Sequence, residues 1–165
     1  MAKRILITDD KPDVRDSVGE FMRRAGFEVE SAASAEGALA MLRAATFDIV
    51  ITDIQFPSGL GGLDLTQIVK RDHRADVIVM TGYSQDYSYE EAVSRGASDF
   101  VIKPFRTEEL LLRVRRVMRE RELTEERNRM MEKLQKLAVT DGLLIVGRSV
   151  RSLVPDLRVL AQVTQ

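Results

Sequence analysis

Short apolar runs alternate with longer segments of helical period along this chain. Arg4–Thr8 (RILIT), 48–52 (DIVIT) and 77–80 (VIVM) are four- or five-residue runs dominated by β-branched and aliphatic residues. They are too short for helices and too continuously apolar for surface strands, so they predict strands buried on both faces. Residues 27–31 (FEVES) alternate apolar and polar and predict a short strand, and 100–102 (FVI) a fifth. Helical patterns fill the intervals. One runs over about 11–25, with Pro12 in its first turn and Gly26 at its stop. Ser34 caps a second, which carries Ala38, Leu39, Met41 and Leu42. Others are predicted over 63–71 and roughly 86–95, and a long helix begins near Thr107. Five strand–helix units at this spacing predict an α/β fold, a doubly wound five-stranded parallel sheet with helices on both faces.

In such a sheet ligands bind beyond the carboxyl ends of the strands, where the strand order reverses. For a flavodoxin-like order, 2-1-3-4-5, that point lies between the first and third strands. The first strand ends in Asp9 and Asp10, the third in Asp53, the fourth in Thr81, and the fifth in Lys103 followed by Pro104. Each has an ordinary reading alone: Asp10 as a helix cap, Asp53 as a surface acid, Lys103 as a cation reaching for solvent. All of them at the same end of four strands form a pattern that chance rarely makes. Three carboxylates at close range repel, and a divalent cation relieves the repulsion. Oxygen-only donors suit magnesium, manganese or calcium. A carboxylate is also a nucleophile able to form an acyl phosphate, with a metal and a lysine screening the incoming charge.

Composition narrows the alternatives. The chain has 165 residues and a formal net charge of −1, which argues against bulk attraction to nucleic acid or anionic membrane. It has no cysteine, which fits a reducing, cytoplasmic setting. The one histidine, His73, lies in the charged stretch KRDHRAD, so a structural zinc site is not expected. The N-terminus is not a signal peptide, and no apolar stretch is long enough to span a membrane. A nucleotide or flavin site would need phosphate donors after the first strand, where Asp9 and Asp10 stand instead. No GxxxxGK[ST] motif occurs, and the GLGG at 59–62 has no downstream lysine. An aspartate-based phosphohydrolase would place its nucleophile in a DxD pair, but position 55 is Gln55.

The motifs DD at 9–10, ITDIQFP around Asp53, MTGYS around Thr81 and GASDFVIKPF around Lys103 together resemble a response-regulator receiver domain, over about residues 3–120. The resemblance implies that Asp53 accepts a phosphoryl group from a sensor histidine kinase. It implies that Asp10, Asp53 and the backbone carbonyl of Gln55 bind Mg²⁺, with Asp9 contributing through water. Thr81 would follow the phosphoryl group, Lys103 would pair with it beside a cis peptide at Pro104, and Phe100 matches the family's switch aromatic. The loop PSGLGG after Asp53 is one residue longer than the family's usual pattern.

Beyond Phe105 no proline or glycine interrupts more than thirty residues. Leu110, Val114 and Val117 form a core stripe. Leu123, Met130, Leu134 and Leu137 form another in a shifted phase, broken by Arg127, and predict a homodimer through this helix. The basic residues between Arg113 and Arg121 are offset by nearby glutamates, so no direct nucleic-acid contact is expected. The segment LLIVGRSV, from Leu143, is similar to the opening of the ATPase domain of sigma-54-dependent activators. The expected organisation is therefore a receiver over 1–120, a helical linker over 121–140, and the start of a following domain over 141–165. The expected function is phosphorylation-dependent signalling with a transcriptional output. The alternatives are a stand-alone adaptor in a phosphorelay and a small aspartate-based phosphohydrolase.

Overall fold

The structure, a computed structural model, describes residues 1–82 and 89–145, with 140–145 described by backbone alone. Strands and helices alternate throughout: β1 Arg4–Thr8, α1 Pro12–Arg24, β2 Glu28–Ala32, α2 Ala35–Ala44, β3 Ile49–Asp53, α3 Gly62–Asp72, β4 Asp76–Thr81, α4 Tyr89–Ser94, β5 Asp99–Ile102 and α5 Thr107–Ile145. The five strands form one sheet in the order β2-β1-β3-β4-β5, parallel at every pairing. This is the flavodoxin-like arrangement expected from the sequence.

Two boundaries moved for reasons that can be read from the backbone. Phe27 stays out of β2 because its amide closes the end of α1 on the Met22 carbonyl, and the ladder starts at Arg4 opposite Glu28. Asp53 belongs to β3, opposite Met80, and the next amide, Ile54, donates to the Met80 carbonyl. The Ser34 cap forms as expected, accepting from the Gly37 amide at 3.1 Å. The first residues of the helix predicted over 86–95 lie outside the described residues.

The pleat sorts the strand side chains into two cores. Ile5, Ile7, Ile49, Ile51, Ile78, Met80 and Val101 face α1 and α5, meeting Val18, Met22, Leu110, Val114 and Val117. Leu6, Val50, Val77 and Val79 face the other way, against apolar residues of α2, α3 and Ala92 of α4. Burying each such aliphatic side chain contributes about 1.5–3 kcal/mol, and doing so on both faces fixes the sheet that carries the rim.

The chain divides into two compact units, Met1–Glu120 and Arg121–Gln165. The first contains the sheet and its two cores. In the second, Leu123, Met130, Leu134 and Leu137 are 58–63% exposed. The part of the expected ATPase-like opening beyond residue 145 lies outside the described residues. Among the described residues no helix is long and apolar enough to cross a membrane.

Candidate functional site

The pleat that places Ile5, Ile7, Ile49, Ile51 and Val101 on one face carries the same parity to Asp9, Asp53 and Lys103. Two acids and a base therefore emerge together where the apolar rows end. The Lys103 ammonium donates to Asp9 Oδ2 at 2.6 Å and to Asp53 Oδ2 at 2.9 Å. Asp9 is fully buried, and its other oxygen accepts the Lys11 amide at 2.9 Å. The Arg15 guanidinium donates to the Asp9 carbonyl at 2.7 Å, fixing the backbone there. Asp53 is mostly covered, and its Oδ1 accepts the Gln55 amide at 3.3 Å. Burial opposes the charge on Lys103, but the hydrogen bonds and charges of Asp9 and Asp53 outweigh it and raise its pKa above the ordinary lysine value.

Asp9, Asp10 and Asp53 each offer an oxygen, and these oxygens lie within 4.8 Å of one another. Three carboxylates against one ammonium leave two negative charges (−3 + 1 = −2), the charge a divalent cation neutralises. Asp10, Asp53 and Gln55 line an open cleft together with Lys11, Pro57, Gly82 and Lys103. Hard oxygen donors, a compensating lysine and an open side for water and a phosphate oxygen fit Mg²⁺. Asp9 already has both oxygens bonded within the protein.

Gly62 lets α3 start against β3: a Cβ there would stand 1.7 Å from the Asp53 carbonyl oxygen. Its amide donates to the Ile54 carbonyl at 2.7 Å, closing the intervening loop. Thr81 ends β4, and its hydroxyl donates to the Gly82 carbonyl at 3.0 Å. Phe100 is half-buried, with its ring 4.8 Å from that of Tyr89 and the Arg113 guanidinium 5.8 Å above it. The Lys103–Pro104 peptide is cis. The dimer stripe, Leu123 to Leu137, belongs to the second unit.

Several contributors escape a reading of the sequence. Arg15 and Lys11 sit at ordinary helix-start positions. Asp99 is buried and held by Arg113 at 3.1 Å and Arg116 at 3.0 Å. Glu36 reaches from α2 to the loop after Asp53. An acid at the start of the apolar run of β5 and two arginines three apart on one helix face were the available signals for Asp99. Glu36 offered none.

Comparison with known proteins agrees with this geometry. Residues 5–115 match the response regulator receiver domain family. The chain is 34% identical over 160 residues to the nitrogen assimilation regulatory protein NtrX of Azorhizobium caulinodans, covering 96% of this chain and 34% of that protein. It is 36% identical over 149 residues to the C4-dicarboxylate transport transcriptional regulatory protein DctD of Rhizobium meliloti, covering 90% and 32%. It thus spans about a third of the length of these curated relatives. Among solved structures, the receiver domain of NtrX from Brucella abortus aligns with a TM-score of 0.66 at 33% identity, covering 70% of this chain and 98% of that one. The chemotaxis response regulator CheY4 of Vibrio cholerae aligns with a TM-score of 0.64 at 28% identity, covering 71% and 99%. With the family matched across the whole sheet and the acids, hydroxyl and lysine gathered at its rim, the chain belongs to the response regulator receiver domains.

Proposed function

We propose that Asp53 accepts a phosphoryl group from a sensor histidine kinase and that the resulting charge controls a dimer and a transcriptional output. The observation that supports this most is the meeting of Asp53 with Lys103 at 2.9 Å beside Asp9 and Asp10. An Asp53 carboxylate oxygen forms a bond to phosphorus as the bond from phosphorus to the donor's imidazole nitrogen breaks. The electron pair of that bond leaves with the imidazole. Lys103 is already in place to meet an oxygen of the transferred group. Asp10, Asp53 and the Gln55 carbonyl would hold Mg²⁺, which neutralises charge on the phosphoryl oxygens when bound. The new group adds roughly −1.5 to −2 charges. Thr81, whose hydroxyl donates to the Gly82 carbonyl at 3.0 Å, can turn to donate to the new group, and Phe100 lies on the neighbouring strand β5 to respond.

The experiment is treatment with acetyl phosphate and Mg²⁺, followed by intact-mass measurement. One phosphoryl group is expected on the wild type and none on Asp53→Asn; equal labelling of the variant would overturn the assignment. Thr81→Ala is expected to take up the phosphoryl group yet lose the accompanying spectral change. The resemblance of residues 141–165 to an ATPase opening and the likeness to DctD and NtrX support a sigma-54-type transcriptional output. The exposed stripe at Leu123, Met130, Leu134 and Leu137 supports a homodimer through α5.

A further inference from the structure

The sequence is expected to carry one residue more than the family's pattern in the loop between Asp53 and Gly62, and the structure shows what steadies that loop. Glu36 lies in the first turn of α2, behind the Ser34 cap. Its Oε1 accepts the Leu60 amide at 2.7 Å, a bond that spans 24 residues of sequence. Gly59, the residue before, has φ of +79°, and a Cβ on it would stand 2.1 Å from that same oxygen. The backbone conformation thus favours glycine at 59, and a side chain there would push the Glu36 carboxylate aside. The flanking side chains Phe56 and Leu60 pack against the core between the sheet and α2. At its far end the loop is closed by the Gly62 amide on the Ile54 carbonyl. Between that closure and Gln55, the Glu36 carboxylate provides the polar tether, and the Leu60 amide in turn draws its pKa below the ordinary glutamate value.

We infer that Glu36 is a positioning residue for the phosphoacceptor site: by holding the Leu60 amide it fixes this loop, and through the loop it aims the Gln55 carbonyl into the cleft shared with Asp10 and Asp53. Gln55 lies five residues before Leu60, at the cleft. Its amide is already on Asp53 Oδ1, so the direction of its carbonyl depends on the path of the residues that follow. With the Leu60 amide released, that path is set by Pro57, by the packing of Phe56 and Leu60 on the core and by the Gly62 closure. A cation at the cleft would then meet a carbonyl with a wider spread of orientations.

The inference rests on the assignment of Asp10, Asp53 and Gln55 given above, and its test separates the two. Mg²⁺ affinity is measured by amide chemical-shift titration of the wild-type chain, Asp10→Ala, Glu36→Ala, Glu36→Gln and Gly59→Ala, with exchange of the Leu60 amide and thermal melting followed in parallel. If the wild type binds no Mg²⁺, or Asp10→Ala binds it equally well, the site assignment itself falls and the inference with it. With the assignment standing, Glu36→Ala is expected to speed Leu60 amide exchange and to weaken Mg²⁺ binding roughly tenfold, the low end of what groups one step behind a metal's ligands contribute. Its melting temperature should stay at the wild-type value. Glu36→Gln retains an oxygen acceptor and should restore most of the affinity. Gly59→Ala displaces the carboxylate without removing it and should reproduce the loss. Unchanged Mg²⁺ affinity in Glu36→Ala, with the Leu60 amide freed or still protected, would overturn the inference.

Discussion

Lys103 holds two carboxylates, one of them on a residue that is fully buried. Removing it leaves Asp9 with an oxygen unpaired and three acids without a counter-charge, a loss of about 3 kcal/mol when one partner of a buried pair is deleted. Lys103→Met is therefore expected to lower the denaturation midpoint in EDTA, and added Mg²⁺ should recover more stability for the variant than for the wild type. Equal midpoints in EDTA would contradict the pairing. The raised pKa sets the pH window: the lysine's contribution is complete through neutral pH and fades only as pH rises past the ordinary lysine value of 10.5. Thr8 presents the opposite case. Its hydroxyl is fully buried at the end of β1 and has no hydrogen-bond partner among the described residues. Thr8→Val keeps the shape and removes the unsatisfied group, so a gain of about 1 kcal/mol in urea unfolding is expected. The rim acids, Thr81 and Lys103 were legible because each ends a buried apolar run. Glu36 on Leu60 and Arg15 on the Asp9 carbonyl were not, because such contacts leave no period in the sequence.

At the scale of elements, periodicity carried the reading furthest where burial was most one-sided. The near-continuous apolar strands β1, β3 and β4 were located almost to the residue, because a strand covered on both faces has no polar position inside it. β2 was displaced by one residue because Phe27 serves the end of α1 rather than the sheet. The length of α5 was visible from its composition, and its two stripes separate cleanly. Leu110, Val114 and Val117 are 0%, 0% and 3% exposed. Leu110→Ala is expected to lower stability by about 2–5 kcal/mol, as large-to-small changes in a packed core do. Leu134→Ala, at a 63% exposed position, should leave the unfolding midpoint of a dilute sample unchanged. A substantial shift in the latter would mean that the stripe is already covered within one chain.

At the scale of the molecule, the second stripe fits a single heptad frame. Leu123, Met130 and Leu137 fall on one core position, Leu134 on the other, and Arg127 on the other again one heptad earlier. A charge at one core position favours a defined register over the tightest packing. Each leucine buried in a dimer contributes roughly 1.5–3 kcal/mol, enough in sum to offset the entropy of association. Sedimentation at tens of micromolar is expected to show a dimer for the 165-residue chain. A chain ending at Arg119, which keeps the packed part of α5, should run as a monomer, as should Leu134→Asp. Monomers in all three cases would remove the dimer from the proposal.

The contact between Tyr89 and Phe100 has a use outside mechanism. The chain contains no tryptophan and three tyrosines, Tyr83, Tyr87 and Tyr89. Its intrinsic fluorescence is therefore tyrosine emission from one short stretch of sequence after β4, of which Tyr89 rests on the ring of Phe100. A change at that edge can be followed in a cuvette, in real time and without a label, while the rest of the protein stays dark.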